Sequence, residues 1–227
     1  MTKHSAVVLS KPDGRKENAM ATQAALRAAG RRLFGQHGYE ATSISALSAE
    51  AGVTAGALYH HFGDKKGLFA AVAEELDSNL VKLVAKVSND ALASGARPWD
   101  AFLAAVDALL RAGVEPEGRR IGLSDAPAVL GSEAWGVIRE RHGMGATIRT
   151  VKTLQALGVM APGDPRRLAR IILGLLYGAI EALPQDPGDI EAALAETRRM
   201  THAMLRSLCH SYAIGEDPLF RDGVSGD

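Results

Sequence analysis

The 227-residue sequence predicts an all-α fold. Apolar residues recur every three to four positions through most of the chain, which is the spacing of one face of a helix. Segments containing glycine and proline separate these stretches, as breaks between helices require. We find no convincing strand pattern, internal repeat or low-complexity tract. The length suits one large domain or two small ones.

The N-terminal segment is expected to differ from the rest of the chain. Residues 1–20 show no period and contain Pro12, Asp13 and Gly14, so we expect a flexible basic arm there. A first helix should follow, and Gly38 should end it. Its apolar face comprises Leu26, Ala29, Gly30, Leu33 and Phe34.

Two short helices are predicted next. Thr42 or Ser43 can cap the first of them, and its inner face comprises Ile44, Leu47 and Ala51. Gly52 breaks this helix, and Val53 is expected to be buried in the turn. Thr54 can cap the second short helix, whose inner face should comprise Ala55, Leu58 and Phe62. Two short helices joined by a tight turn containing glycine are typical of a helix-turn-helix.

The following segments predict longer helices. Asp64 can cap a helix that ends at about Val87, and Pro98 can open the next one. Ser132 should start a long helix that continues through Leu154. These elements divide the chain into a first domain over residues 21–80, which contains the predicted helix-turn-helix, and a second helical domain over residues 81–213.

Two helices close the second domain. Asp164 followed by Pro165 is a strong start signal for a helix that reaches about Leu183. The last helix should run from Asp189 to about Tyr212, and the Gly- and Asp-rich tail over residues 214–227 is expected to be flexible.

Charge is unevenly distributed although the chain as a whole is neutral. Residues 1–66 hold nine Lys and Arg against five Asp and Glu, and the remainder holds 17 against 21. A basic N-terminal part and an acidic remainder suggest that the N-terminal part binds a polyanion. An excess of this size on a short segment can also arise by chance.

The sequence favours a cytoplasmic protein. Cys209 is the single cysteine, so no intrachain disulfide can form. The first 20 residues lack the apolar core of a signal peptide. The longest uncharged apolar run, from Ile171 to Ile180, is far shorter than the ~18 residues needed to cross a bilayer.

The second short helix should present an unusual outer face. With Leu58 and Phe62 directed inward, the outward positions comprise Thr54, Gly56, Tyr59 and His60. Tyrosine and histidine can pack on a thymine methyl, hydrogen-bond to base edges and reach phosphate oxygens. Gly56 has no side chain beyond hydrogen, so the backbone can approach the bases closely there. This face is therefore suited to the major groove of DNA.

Residues between positions 20 and 80 also form a specific combination. It comprises Gly38-Tyr39, Thr42-Ser43-Ile44, Ala51-Gly52-Val53, Gly56, Leu58-Tyr59, His61-Phe62, Lys65 and Leu68-Phe69. As a set this resembles the signature of TetR/AcrR-type (tetracycline-repressor-like) transcriptional regulators. The resemblance implies a homodimer that binds a palindromic DNA operator, with a larger helical domain that dimerises and often binds a small effector.

The resemblance also implies which residues contact DNA. By motif position these are Ser43, Thr54, Gly56, Tyr59, His60, His61 and Lys65. Lys65 would hold a phosphate together with free backbone N–H groups of the first turn of its helix. Ala55 and Ala57 stand where members often carry polar side chains, so base contacts should rely on Tyr59 and His60.

The second domain offers candidates for an effector site but no transferable motif. Its aromatic and sulfur-containing candidates are Trp99, Phe102, Trp135, Met144 and Tyr177. Such residues at helical spacing are more often core, so each one can belong to the core, to a pocket or to both. Few charges accompany them, which favours a hydrophobic effector.

The last two helices predict a dimer interface. Apolar residues spread around more than one side of the first helix, and Gly174 and Gly178 permit a close helix approach. A helix that is apolar on two faces needs two partners, and a second subunit can supply one through a symmetric four-helix contact. The predicted interface comprises Leu168, Ile172, Leu175, Leu205 and Leu208. The alternative is that the chain's own helices bury both faces.

These patterns favour a ligand-responsive transcriptional repressor. The alternative is a DNA-binding regulator without a small-molecule effector, controlled by a protein partner or constitutive. We expect no enzymatic activity, since no catalytic motif or phosphate-binding loop is present. We expect no cofactor and no metal, because His60 and His61 point about 100° apart on a helix. His202, Cys209 and His210 likewise lack metal-ligand spacing.

Overall fold

The computed structural model describes residues 14–184 and 190–209 of the chain. Two compact units divide it, one ending at Val72 and the other beginning at Ala73. The predicted all-α fold is confirmed in both units. Within the described ranges the only pairing of the β type is an isolated bridge between Met160 and Cys209.

The first unit contains three helices and the beginning of a fourth. They are Gly14–His37 (α1), Ile44–Ala51 (α2), Ala55–Phe62 (α3) and Lys65–Ala93 (α4), whose later residues belong to the second unit. The core of this unit comprises the fully buried Leu26, Phe34, Leu47, Leu58, Leu68 and Phe69. Phe34 and Phe69 pack edge to face with their ring centroids 5.1 Å apart, a favoured aromatic geometry.

Gly30 explains how α1 and α4 come so close together. A Cβ atom at Gly30 would lie 3.0 Å from Cγ2 of Val72 and 3.3 Å from Cε2 of Phe34. Such distances are tighter than ordinary carbon contacts. The glycine therefore lets the two helices pack where a larger residue would force Val72 to shift.

Two predictions for this unit need correction. The expected arm over residues 1–20 is wrong for its last part, because α1 already begins at Gly14. Residues 1–13 lie outside the described ranges. Good helix formers such as Lys16 and Glu17 occupy the first turn of α1. Ala55, predicted to face inward, is exposed at the first position of α3.

The second unit is built from helices of very different lengths. After α4 they are Pro98–Ala112 (α5), Pro116–Gly118 (α6), Ala126–Leu130 (α7), Ser132–Arg139 (α8), Gly145–Ala156 (α9), Pro165–Glu181 (α10) and Ile190–Arg206 (α11). Helix α10 packs against α5, α9 and α11. The core comprises residues such as Val106, Leu110, Val151, Ile172, Leu176 and Leu205. None of the helices in the described ranges is long and apolar enough to span a membrane.

Two π-helical segments interrupt this unit. They cover Arg119–Asp125, between α6 and α7, and Glu140–Met144, between α8 and α9. The long helix predicted from Ser132 to Leu154 is therefore found as α8 and α9 joined by a π-helical segment. A residue added to a helical turn in this way re-aims the side chains around it.

The ends of several helices differ from expectation. Helix α4 continues past the predicted Val87 to Ala93, and α11 ends at Arg206, before the predicted Tyr212. Asp164 caps α10 as predicted, since its Oδ1 accepts from the backbone N–H of Arg167 at 2.8 Å. The predicted tail, residues 214–227, lies outside the described ranges, and so do His210 and Tyr212.

Candidate nucleic-acid interface and effector site

Local sequence fixes the turn between α2 and α3. Ser43 caps α2 by accepting from the Ala46 N–H at 3.1 Å, and Thr54 caps α3 by accepting from the Ala57 N–H at 3.3 Å. Between them Gly52 adopts φ +66°, the left-handed conformation that glycine tolerates best. Both predicted caps are present, and the two short helices form a helix-turn-helix.

The exposed face of α3 carries the predicted outward set. Thr54, Gly56, Tyr59 and His60 are all exposed, and Tyr59 retains 52% of its surface. A Cβ atom at Gly56 would meet only the Thr54 hydroxyl, at 3.7 Å. Packing in the free protein therefore does not require glycine at position 56.

His61 is placed differently from its neighbour. It is half-buried, and its Nδ1 lies 3.4 Å from Nε2 of Gln23 on α1. The His61 ring also packs edge to face against Phe62, 6.5 Å between centroids. We infer that His61 orients α3 on α1, while His60 remains exposed.

Lys65 is held by the fold itself. Its Nζ donates to the backbone carbonyls of Tyr39, at 3.0 Å, and Thr42, at 3.1 Å. Two of the three ammonium donors are thereby used, which leaves one for a phosphate. The neighbouring Lys66 is exposed. Sequence reasoning selected Lys65 as a phosphate contact and missed this structural role, because both carbonyls lie more than 20 residues earlier.

The candidate effector residues separate into two groups. Trp99 and Phe102 form a ring pair on α5, 5.3 Å between centroids, and Phe102 and Met144 belong to the apolar core of the second unit. Trp135 and Tyr177 instead surround Arg139. The Arg139 guanidinium carbon lies 3.1 Å from the Tyr177 ring centroid and 6.0 Å from that of Trp135.

Asp77 on α4 completes the second group and was missed in the sequence. It is 92% buried, since its relative exposure is 8%. Burial raises the pKa of Asp77 to about 6, although the charges of Arg139 and His142 oppose this shift. Asp77 stands four residues after the buried Ala73 and three before Leu80. An acidic residue on the apolar face of a helix was the signal that could have found it.

Glu74 lies one turn before Asp77 and is bound by two partners. Its Oε1 accepts from Nη1 of Arg141 at 2.7 Å and lies 3.2 Å from Nε2 of His142. The His142 hydrogen bond, followed by Arg141, holds the pKa of Glu74 below its usual range. Glu74 therefore remains a carboxylate where Asp77 is readily protonated.

The predicted dimer interface needs a correction. Ile172 and Leu205 are fully buried in the core of their own chain, so they offer no surface to a second subunit. Leu168, Leu175 and Leu208 are half-buried against that core. The exposed apolar side chains on these helices are Ile171 on α10 and Met200 and Met204 on α11. Periodicity alone does not distinguish the buried residue on each helix from its exposed neighbour.

A helix-turn-helix with an exposed second helix, followed by an all-helical unit, defines the class of helix-turn-helix transcriptional regulators. Comparison with known families supports this class. Residues 26–72 match the family described as "Bacterial regulatory proteins, tetR family". Residues 99–208 match "Tetracyclin repressor-like, C-terminal domain".

A solved structure is similar over nearly the whole chain. It is a TetR-family transcriptional regulator from Pectobacterium atrosepticum, 36% identical, with a TM-score of 0.72. The similarity covers 86% of this chain and 97% of that one. This protein therefore belongs to the TetR family of transcriptional regulators, and its relatives are regulators rather than enzymes.

Curated relatives match over shorter parts of their length. The HTH-type transcriptional repressor AcnR of Corynebacterium glutamicum is 41% identical over 56 residues, 25% of this chain and 30% of that repressor. The A-factor receptor protein of Streptomyces griseus is 29% identical over 183 residues, 78% of this chain and 60% of the receptor. The chain thus spans less than two thirds of the length of both.

Proposed function

We propose that this TetR-family regulator represses transcription as a homodimer on a palindromic operator, and that a small apolar or amphipathic effector releases it. The observation that carries the DNA-binding part is the exposed α3 face, with Tyr59 and His60 beside Gly56. Because an operator is chromosomal or plasmid DNA, the proposal places the protein in the cytoplasm.

Dimerisation is supported by the surface of α10 and α11. Ile171, Met200 and Met204 are exposed apolar side chains, and Gly174 and Gly178 are glycines at which an added Cβ would meet nothing within 4 Å. A second copy of the same surface can cover these residues and approach closely at the glycines. The interface is thus proposed at Ile171, Met200 and Met204 rather than at Ile172 and Leu205.

Two α3 helices of a dimer must enter successive major grooves. This requires a separation of roughly 34–36 Å, one turn of DNA. An effector that binds better to a conformation with a different separation shifts the population away from DNA. Helix α4 is suited to transmit such a change, since it contributes Leu68 and Phe69 to the first core and Asp77 to the second unit.

An effector is supported by two observations. One relative, from Streptomyces griseus, is named as a receptor, the A-factor receptor protein. In this chain, the half-buried Arg139 stacks on Tyr177 near Trp135, and the buried Asp77 lies within electrostatic range of Arg139. A unit that served only for dimerisation would gain nothing from such groups, because burying charge is costly.

The test is selection of duplexes from a random library by the wild-type protein, followed by binding measurements on the enriched duplex. We expect an inverted repeat and an affinity that falls steeply with salt, since phosphate contacts release counterions. Tyr59→Ala should lower the affinity without changing the melting temperature, whereas Tyr59→Phe should retain most of it. Enrichment of no sequence at moderate salt would refute the DNA-binding proposal.

A further inference from the structure

A group of four side chains in the second unit, two of them buried and two half-buried, has more hydrogen-bonding capacity than the protein uses. We name it the Arg139 cluster: Asp77 on α4, Trp135 and Arg139 on α8, and Tyr177 on α10. The Arg139 guanidinium stacks on the Tyr177 ring and lies near Trp135. Asp77 is close enough to influence the charges of both Arg139 and Tyr177.

Three polar atoms of the Arg139 cluster lack a hydrogen-bond partner within the described ranges. They are Oδ2 of Asp77, Nε1 of Trp135 and Nη2 of Arg139. All three are buried, and Asp77 and Trp135 expose only 8% and 6% of their surface. Buried polar atoms are normally satisfied, and leaving one unpaired costs about 1–3 kcal/mol. Several such atoms within one cluster indicate a partner from outside the chain.

The adjoining backbone is irregular at this point. The π segment Glu140–Met144 directly follows Arg139, and π segments are frequent at functional sites. Gly143 in that segment is buried, and a Cβ built on it would lie 3.6 Å from the Tyr177 hydroxyl. That is an ordinary contact distance, so a methyl group would fit where the glycine has only hydrogen.

The three atoms together specify the chemistry of a partner. Nε1 of Trp135 and Nη2 of Arg139 can only donate, whereas an ionised Asp77 can only accept. A hydroxyl group satisfies both kinds of neighbour at once, because it donates one hydrogen bond and accepts two. Resting on the proposed function, we infer that the Arg139 cluster is the polar end of the effector site, and that the effector is a neutral small molecule bearing a hydroxyl group.

The surroundings disfavour the other polar classes. A carboxylate ligand would be placed beside the acidic Asp77 and near Glu74, whose charge is retained by Arg141 and His142. An ammonium ligand would face Arg139. A purely apolar ligand would leave the Trp135 and Arg139 donors without a partner, at the cost of their desolvation.

The inference is tested by calorimetric titration of the wild-type protein with four probes built on one benzene ring: phenol, anisole, toluene and benzoate. Phenol can donate and accept, anisole can only accept, and toluene can do neither. We expect millimolar binding of phenol and at least about tenfold weaker binding of the others, the loss that follows from one unmade hydrogen bond to a charged group.

Variants locate the bound phenol. Asp77→Leu keeps the shape of the side chain but removes the acceptor, and Trp135→Phe removes the indole donor. Each should lower the phenol association constant by about tenfold or more. Val137→Ala, at an exposed position of α8, is the control and should leave it unchanged. Should a variant fail to fold, the order of the four probes on wild-type protein still decides.

The outcomes separate this inference from the proposed function. Equal binding of phenol and toluene, no binding of phenol, or loss of binding in Val137→Ala alone would overturn the inference. The first unit's DNA binding would be unaffected by any of these results. If phenol binds the Arg139 cluster but leaves operator affinity unchanged, hydroxyl binding by the cluster stands, and effector release, which belongs to the proposed function, is wrong.

Discussion

The Lys65 ammonium lies 4.1 Å from the centroid of the Tyr39 ring while donating to the Tyr39 carbonyl at 3.0 Å. A second bond joins it to the Thr42 carbonyl. Tyr39 itself stacks on Phe34 and packs edge to face against Phe69. Lys65 thus ties the start of α4 to the segment between α1 and α2, in the unit that carries the DNA-binding face.

Lys65→Ala should therefore destabilise the DNA-binding unit. The lost cation–π contact and two hydrogen bonds amount to about 1–3 kcal/mol in the free energy of unfolding. The matched control is Lys66→Ala at the exposed neighbouring position, which should leave stability unchanged. Urea unfolding followed by circular dichroism measures both, and equal stability of the two variants would contradict the structural role.

Lys66 is expected to matter for DNA binding, although not for stability. Lys66→Ala should weaken all duplex sequences alike and reduce the slope of log affinity against log salt by about one, as loss of one phosphate contact predicts. A salt slope identical to that of the wild type would show that Lys66 makes no such contact.

Gly56→Ala should weaken operator binding although it strengthens the free helix. Alanine favours a helix over glycine by up to about 1 kcal/mol, and the free protein has room for the methyl group. On DNA the methyl would lie on the face proposed to approach the bases. Gly136→Ala on α8, also exposed and without close neighbours, is the control. Anisotropy titration with a labelled operator measures the affinity, and wild-type affinity of Gly56→Ala would remove Gly56 from the interface.

Adjacent isoleucines of α10 test the dimer interface. Ile171 exposes 61% of its surface and Ile172 none. Ile171→Asp should yield a folded monomer, because only the intersubunit contact receives the charge. Ile172→Asp should unfold the second unit, since an unpaired charge in a core costs several kcal/mol. Light scattering and circular dichroism distinguish these results. A folded dimer of Ile171→Asp would place the interface elsewhere.

Asp77 makes stability depend on pH in a defined direction. Its pKa is about 6 in the folded protein against an ordinary 3.8, so the folded state binds more protons between these values. The protonated Asp77 therefore stabilises the folded state fully below pH 3.8. This stabilisation, about 3 kcal/mol in the free energy of unfolding, is lost as the pH rises through about 6. The neighbouring charges are Arg139, His142 and Glu74.

The side-chain amide of Asp77→Asn does not titrate. The stability of this variant relative to the wild type should therefore increase from pH 4.5 to pH 7, as measured by urea unfolding at each pH. A stability difference independent of pH would show that the Asp77 carboxyl is not penalised by burial.

Local patterns predicted the helices well, for a physical reason. Apolar period, caps such as Thr54 and Asp164, and breakers such as Gly52 act within a few residues, and all three are found in the predicted roles. The exposed Tyr59 and His60 followed from the same period.

What the sequence did not predict depends on distant partners. Lys65 bonds to carbonyls more than 20 residues away, and Asp77 interacts electrostatically with Arg139 and Tyr177 on other helices. The choice of Ile171 over Ile172 as the exposed side chain depends on how α10 is rotated against α5, α9 and α11. Residues that are neighbours in sequence and equally apolar carry no local signal for that rotation.

The account centres on coupling between the effector site and the DNA-binding face, and a linkage cycle measures it directly. The operator affinity is determined with and without a saturating effector, and the effector affinity with and without operator. We predict that both affinities fall by the same factor, because coupling between two binding sites is reciprocal. An effector that binds and raises the melting temperature but leaves operator affinity unchanged would contradict the account.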